Sequence, residues 1–342
     1  MGTIPFLSIT DITNSDGYIY DTEKHITEEA LNNSAAWIVP SESISLAMYA
    51  SVGKVAILKQ NTATSQAFYN LVINEIGLRN YLFQYLKKME SLDEWTLLVS
   101  TGTQSNLNAE KVKELIINIP TKKEEQSKVG DLLFSLDQVI TLHQRKFEKL
   151  TQIKKSLLGK MFPADGANTP KIRFNGFTEA WEHRKLGDVT SVATFKPYLK
   201  EINEDGEYEI IQQGDKPLAG YANGNPFQDY EKVTLFGDHT FSLYKAKAPF
   251  FVASDGVKIL FSKDMNGYFY YYLLENYKPQ SEGYKRHFSI LKECECSYPT
   301  NIIEQQKIGE YFSNLDNLIT LHQRKYEKLK NIKKSLLEKM FV

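Results

Sequence analysis

The sequence has 342 residues, a formal net charge of −1, 42% hydrophobic residues and 24% charged residues. This composition is typical of folded globular proteins and excludes fibrous and largely disordered chains. The length exceeds what one ordinary core accommodates, so we expect two or three domains.

Charge and hydropathy exclude two further classes. The pI near 6.6 is not that of a stand-alone nucleic-acid binder, so any contact with DNA would be local or shared with a partner. No apolar run approaches the roughly 20 residues that cross a bilayer, and the N-terminus lacks a basic region followed by an apolar segment. We therefore expect a cytoplasmic protein.

The first segment of the chain is predicted to be rich in strands. IPFLSITDI (Ile4 to Ile12) is predicted to form a strand that enters a turn, and SISLAMYASVGKVAIL is predicted to form a hairpin turning at Gly53. NYLFQYLKKM follows as a helix, then the polar loop TGTQSNLN (Thr101 to Asn108) and a strand ending at Pro120.

A long repeat comes next. Glu125 to Phe162 and Glu304 to Phe341 share 25 identities in 38 positions without a gap, at an offset of 179 residues. Both copies lack proline and are rich in Leu, Lys, Gln and Glu, which favours helix. Helices of this length would extend about 55 to 60 Å, more than a small domain needs, so we expect them to pack on each other as a coiled coil.

Apolar residues recur in each copy at a spacing of three and four, which predicts one buried stripe. The stripe consists of Leu136, Val139, Ile140, Phe147, Leu150, Ile153, Leu157 and Met161, and of Leu315, Leu318, Ile319, Tyr326, Leu329, Ile332, Leu336 and Met340. His143 and His322 occupy the same position in the two copies, and we expect them to set register or packing rather than to catalyse.

The segments that flank the second copy repeat the order of the first. The prolines and glycines of PADGANTPKIRFNGF predict a connector between the two parts of the chain. YEIIQQGD is predicted to form a strand. HTFSLYKAKAPFFVASDGVKILF should turn at Asp255 and Gly256; the helix GYFYYYLLENY, the polar loop SEGYKRHF and a strand ending at Pro299 follow. We predict an α+β protein with a module at 1–122, a helix at 123–162, a linker at 163–180, a second module at 181–300 and a second helix at 301–342.

These residues resemble the specificity subunit of type I restriction-modification enzymes. The resemblance is carried by EQSKVGDLLFSLDQVITLHQRKFEKLTQIKKSLLGKMFP, its copy EQQKIGEYFSNLDNLITLHQRKYEKLKNIKKSLLEKMFV and the joining segment PKIRFNGFTEAWEHRKLGDV, together well over a third of the chain. It implies two α/β target recognition domains separated by two long antiparallel helices, which form an intramolecular coiled coil with pseudo-twofold repeat. Each domain would read one half of a bipartite site in double-stranded DNA, and the helices would fix the spacer.

The same resemblance implies a subunit without catalysis or cofactor of its own. It would dock two methyltransferase subunits that use S-adenosylmethionine to methylate adenine, and two motor-nuclease subunits that use ATP and Mg. The basic helices and the joining segment are candidates for methyltransferase docking. The first module has no counterpart of WEHRKLGDV (Trp181 to Val189), so we expect the first recognition domain to be incomplete at its amino end.

Polar loops in both modules are the candidates for reading DNA, because Arg, Lys, Asn and Gln, and more loosely Ser and Thr, recognise base edges, while Lys, Arg and backbone amides bind phosphates. In the first module the candidates are Ser8, Thr10, Asn14, Tyr49, Ser51, Lys54, Thr103, Gln104, Ser105 and Asn106. In the second they are Gln212, Gln213, Lys216, Ser254, Lys258, Tyr284, Lys285, Arg286 and His287.

Other functions have weaker support. GNPF lacks the second proline of an adenine-methyltransferase motif, and no GxxxxGK[ST] phosphate loop is present. Cys294 and Cys296, even with His287, do not complete a tetrahedral zinc site, so we interpret them as reduced thiols. Two alternatives stay open: a coiled-coil adaptor whose modules bind proteins, and a self-contained DNA-modifying enzyme.

Overall fold

The computed structural model describes residues 2–98, 107–164, 166–203, 205–279 and 287–341. The chain forms two compact units: unit 1 comprises Met1–Lys146 with His322–Val342, and unit 2 comprises Phe147–Leu321. This division cuts both long helices. Each unit therefore contains one module, the first part of the helix that follows it, and the last part of the other helix.

Unit 1 is built on two four-stranded sheets with the strand orders β3-β1-β7-β4 and β2-β6-β5-β8. The strands are β1 (Ile4–Phe6), β2 (Tyr18–Ile19), β3 (Lys24–Ile26), β4 (Trp37–Val39), β5 (Ile44–Ala47), β6 (Val55–Leu58), β7 (Thr62–Thr64) and β8 (Phe68–Leu71). The helices are α1 (Ile9–Asn14), α2 (Glu28–Asn32), α3 (Ile76–Ser91), α4 (Ala109–Lys113) and the first part of the long α5 (Lys123–Met161).

Unit 2 contains sheets with the orders β10-β16-β13-β14, β12-β11-β15 and β17-β9. Its strands are β9 (Glu182–Lys185), β10 (Ser191–Ala193), β11 (Tyr208–Ile211), β12 (Leu218–Ala222), β13 (Thr234–Gly237), β14 (Leu243–Tyr244), β15 (Phe250–Val252), β16 (Val257–Phe261) and β17 (Glu295–Tyr298). Its helices are α6 (Leu186–Val189), α7 (Gly267–Tyr277), α8 (Phe288–Glu293) and the first part of α9 (Ile302–Met340).

Most predicted elements are confirmed, and the exceptions have local causes. Ile4 to Ile12 is not one strand, because Ser8 caps α1 and ends the extended segment. The hairpin at Gly53 joins the antiparallel strands β5 and β6, and Gly53 has a positive φ of 86° that favours glycine. The turn at Asp255 and Gly256 instead joins β15 and β16, which lie in different sheets. Residues 114–120 form no strand in the described part of the chain.

Part of the core of each unit forms where a module helix packs on the long helices. In unit 1, Tyr81 of α3 packs with Leu133 of α5 and with Leu337 and Phe341 at the end of the second repeat. In unit 2, Phe269 of α7 packs in one cluster with Phe162 and Phe312. Since Phe162 and Phe341 are equivalent repeat positions, both cores use the same end of the repeat.

The helices pack antiparallel within each unit. In unit 1, Asp137 contacts Lys333 whereas His143 contacts His322, so residue numbers rise in α5 as they fall in α9. Of the predicted packing residues, Leu150, Leu157, Leu315 and Ile319 join the unit 2 core, and Leu336 joins that of unit 1. Leu136, Ile140 and Leu329 are half-buried.

The predicted buried stripe is wrong at four positions. Val139, Ile153, Leu318 and Ile332 are exposed. A stripe of eight residues per copy is wider than the other antiparallel helix can cover, so these four positions face away from it. None of the helices in the described residues is long and apolar enough to span a membrane.

Candidate nucleic-acid interface

The first two candidate loops of unit 1 lie together. Thr13 of α1 donates its hydroxyl to the Oγ of Ser51 in the β5–β6 turn at 2.8 Å. Thr10, Asn14 and Tyr49 are exposed. Thr13 was not among the predicted residues, although it follows the capped start of α1 in the same polar segment.

Two candidates in unit 1 already have structural partners. The Ser8 Oγ accepts the backbone N–H of Asp11 at 3.2 Å, which caps α1. The Lys54 Nζ lies 2.6 Å from the Glu90 Oε1. Burial opposes ionisation of Glu90, but Lys87 and Lys54 hold its pKa below the ordinary value. Ser8 and Lys54 thus stabilise the conformation of their loops through partners within unit 1.

In unit 2, Gln212 and Gln213 each hold a turn near the end of β11. The Gln213 Oε1 accepts the backbone N–H of His239 at 3.0 Å, and Gln212 donates to the carbonyl of Lys216 at 2.9 Å within the β11–β12 turn. Gln212 and Lys216 are exposed, whereas Gln213 is half-buried. The β11–β12 turn is therefore held in a defined shape with polar side chains on its surface.

The remaining candidates of unit 2 are less exposed. The Lys258 Nζ donates to the carbonyl of Asp255 at 2.9 Å, and Ser254 is half-buried. His287 is fully buried and lies against Phe241 with ring centroids 4.2 Å apart. His287 therefore belongs to the core in this structure and does not present its ring to a ligand. The candidates Thr103, Gln104, Ser105, Asn106, Tyr284, Lys285 and Arg286 lie outside the described residues.

The repeat places equivalent ion pairs in both units. In unit 2, Lys154 lies 2.8 Å from Asp316 and 3.0 Å from Glu275. The equivalent pair in unit 1 joins Lys333 to Asp137. Burial lowers the pKa of Lys333, while Asp137 acts in the opposite direction. Each aspartate also accepts from its module helix, from Gln84 at 2.8 Å and from Tyr272 at 2.8 Å.

Two glycines at equivalent positions allow each module helix to approach. A Cβ on Gly130 would lie 2.8 Å from the Asn80 Cβ, and one on Gly309 would lie 2.8 Å from the Phe269 backbone N. Both distances are too short for a side chain. The same close contact between a long helix and a module helix thus occurs in both units, although the two modules differ.

His143 and His322 contact each other in unit 1, at the middle of each long helix. Their Nδ1 atoms are 2.8 Å apart, a distance at which one ring donates and the other accepts. Burial, followed by Lys325 and Lys146, lowers the pKa of His143. Burial, followed by His143 and the same lysines, lowers the pKa of His322. This agrees with the packing role expected from the sequence.

A repeated apolar stripe lies on the exposed face of the long helices. Three residues in each unit have the same spacing and are more than a third exposed: Leu132, Val139 and Leu142 in unit 1, and Tyr311, Leu318 and Leu321 in unit 2. Exposed apolar residues repeated at heptad-like spacing indicate a partner surface. The sequence already indicated this surface, because each copy has more apolar positions than the contact between the two long helices can bury.

The remaining candidate groups for chemistry are metal ligands and thiols. The described residues contain no group of three His, Cys, Asp or Glu side chains placed to hold a metal ion. Both cysteines are free, and burial raises the pKa of the Cys296 thiol to about 12.

Comparisons with known proteins agree with this arrangement. The specificity subunit of the type I restriction enzyme MjaIX from Methanocaldococcus jannaschii is 30% identical over 200 residues, which cover 56% of this chain and 46% of that protein. The chain thus spans about half the length of this relative. The crystal structure of a type I restriction-modification S subunit from M. genitalium has the same fold, with a TM-score of 0.71 at 17% identity, covering 100% of this chain and 89% of that one.

The sequence profile described as the type I restriction modification DNA specificity domain matches residues 1–152 and 178–331. These two matches cover most of the chain, one over each module with its helix. The chain belongs to the type I restriction modification DNA specificity family.

Proposed function

We propose that this chain is the DNA sequence-recognition subunit of a type I restriction-modification complex. The observation that carries the proposal is the contrast between the units: equivalent ion pairs and equivalent glycine contacts mount two modules whose sheets differ. Two modules with different surfaces, held by the same contacts to the long helices, suit a bipartite DNA site with one half for each module. The polar turns around Thr10, Tyr49 and Gln212 are the candidate base-reading surfaces.

The paired helices would set the spacer between the half-sites. Each has 39 residues, which corresponds to about 58 Å at 1.5 Å per residue. DNA turns once in about 34 Å, so a rigid spacer determines both distance and face. Two antiparallel helices joined by half-buried ion pairs would have this rigidity.

The repeated apolar stripe would dock the methyltransferase subunits. Because the stripe occurs once in each copy, it supports two such subunits per chain. S-adenosylmethionine would be bound by those partners, and ATP and Mg by the motor-nuclease subunits of the full complex. This chain would supply recognition alone, in the cytoplasm.

Selection from a pool of random duplexes tests the recognition role. The chain, assembled with its methyltransferase subunit, should enrich duplexes that share two short motifs at a constant separation. The affinity for a selected duplex should fall with salt, because each phosphate contact releases a counterion. A protein adaptor would enrich no sequence and would show no such dependence, which would contradict the proposal.

A further inference from the structure

The middle of each long helix carries the same four residues, HQRK, which begin at His143 in α5 and at His322 in α9. In unit 1 the two stretches meet, because the Nδ1 atoms of these histidines are 2.8 Å apart. Each stretch ends in an exposed lysine, Lys146 or Lys325. The two histidines and the two lysines are called the central cluster below.

Positive charge surrounds the histidine pair. Besides burial, Lys325 and Lys146 lower the pKa of His143, and the same two lysines act with His143 to lower the pKa of His322. Both lysines therefore lie near both rings, although they belong to different helices. Among the described residues, no carboxylate raises the pKa of either ring. Because a lowered pKa leaves both rings neutral near pH 7, the two lysines carry the charge of the central cluster.

The lysines of the central cluster differ from other lysines of the long helices in having no ion pair. Lys154 and Lys333 each pair with an aspartate, whereas Lys146 and Lys325 pair with no carboxylate in the described part of the chain. Like charges held near each other disfavour the folded state, and an anion bound between them removes this repulsion. Two unpaired lysines on facing helices therefore fit an anionic partner.

A candidate base-reading segment of unit 1 reaches the same part of α5. The Arg145 Nη2, next to Lys146 in the sequence, lies 3.2 Å from the Asp16 Oδ2. Asp16 follows Asn14, the exposed candidate at the end of α1, by two residues. The surface that would read bases therefore continues to the middle of α5. Asp16 neutralises Arg145, so the positive charge on this part of the surface comes from the central cluster.

We propose that the central cluster binds the phosphate backbone of the spacer DNA between the two half-sites, with Lys146 and Lys325 contacting the phosphates. This contact rests on the proposed recognition of a bipartite duplex, and it adds a binding term that reads no sequence. Lysine suits this role because its compact ammonium attracts phosphate oxygens whatever the base. The long helices would then hold the unspecified spacer as well as set its length.

The salt dependence of DNA binding tests the proposal, with the chain assembled with its methyltransferase subunit and a duplex selected as above. K146Q/K325Q should make the slope of log affinity against log salt shallower by about two, because each lost phosphate contact contributes about one. The matched control K155Q/K334Q removes two exposed lysines at another pair of equivalent repeat positions. It should leave the slope unchanged. Equal slopes for the two variants would overturn the proposal.

A duplex with uncharged methylphosphonate linkages locates the contact. Such linkages in the spacer should weaken binding by the wild-type complex about tenfold or more, and should weaken binding by K146Q/K325Q no further. The same linkages outside the half-sites should affect both complexes equally. A spacer effect of equal size in both complexes would overturn the proposal.

Two other results would have different meanings. Failure of K146Q/K325Q to assemble with the methyltransferase subunit would also overturn the proposal, because the central cluster would then dock a protein. Absence of salt-dependent binding by the wild-type complex would contradict the recognition role itself. Specific binding by the wild type, with no difference between K146Q/K325Q and its control, would contradict only the phosphate contact.

Discussion

His143 and His322 connect residue chemistry to stability in unit 1. Folding lowers the pKa of both rings, so below the ordinary histidine pKa of about 6.5 the unfolded chain binds more protons. The free energy of unfolding should therefore rise with pH up to this value and lose that dependence above it. Urea unfolding between about pH 5 and 8 measures this.

The control for the histidine pair is the double variant H143N/H322N, whose amides keep donors and acceptors but do not titrate. It should reduce the pH dependence of stability below about pH 6.5. An unchanged dependence would assign it to other groups.

Lys154 should be critical to unit 2 because it neutralises Asp316 and Glu275 together. K154A leaves both half-buried carboxylates without this partner and should lower the free energy of unfolding by about 1 to 3 kcal/mol. K155A, an exposed neighbour on the same helix, should change it by less than about 0.5 kcal/mol. Chemical denaturation of the three proteins makes the comparison, and equal losses would contradict the assigned role.

At the scale of elements, glycines in the long helices should behave oppositely according to their surroundings. G309A adds a Cβ 2.8 Å from the Phe269 backbone N and should destabilise the protein by about 1 to 3 kcal/mol. G159A meets nothing within 4 Å and should stabilise it by up to about 1 kcal/mol through helix propensity. Thermal unfolding of both variants measures the difference, and a stabilising G309A would contradict the close packing of α7.

The elements that the sequence predicted best are those in which local pattern and packing agree. The helix GYFYYYLLENY begins at Gly267 and ends at Tyr277 as predicted, because α7 is apolar on most sides and capped by Asn266. The strand prediction at Ile4 to Ile12 is wrong because the capping box of Ser8 and Asp11 outweighs apolar alternation. That signal was present as S-x-x-D.

The candidate site was less predictable than the helices. Loop position could be anticipated, but Gln213, Lys54 and Ser8 hold backbone or side-chain partners within their own unit. His287 is buried by contacts with Phe241, which lies 46 positions away in the sequence. Periodicity within one segment does not reveal such distant partners, so the packing of a loop decides which polar residues stay exposed.

At the scale of the whole molecule, the repeat allows the helices to be shortened without losing either ion pair. Removing residues 144–150 and the equivalent 323–329 takes the same heptad from both antiparallel helices and retains Lys154 with Asp316 and Lys333 with Asp137. Each helix becomes about 10 Å shorter, which corresponds to about three base pairs of DNA.

The measurement that tests the account most directly is a genome-wide map of methylated adenine. Wild-type and shortened chains would each be co-expressed with the methyltransferase subunit in cells that lack other adenine methylation. We predict a two-part motif for the wild type, and for the shortened chain the same two half-sites with a gap about three base pairs smaller. The same gap in both maps, or an undivided motif, would contradict two modules separated by a helical spacer.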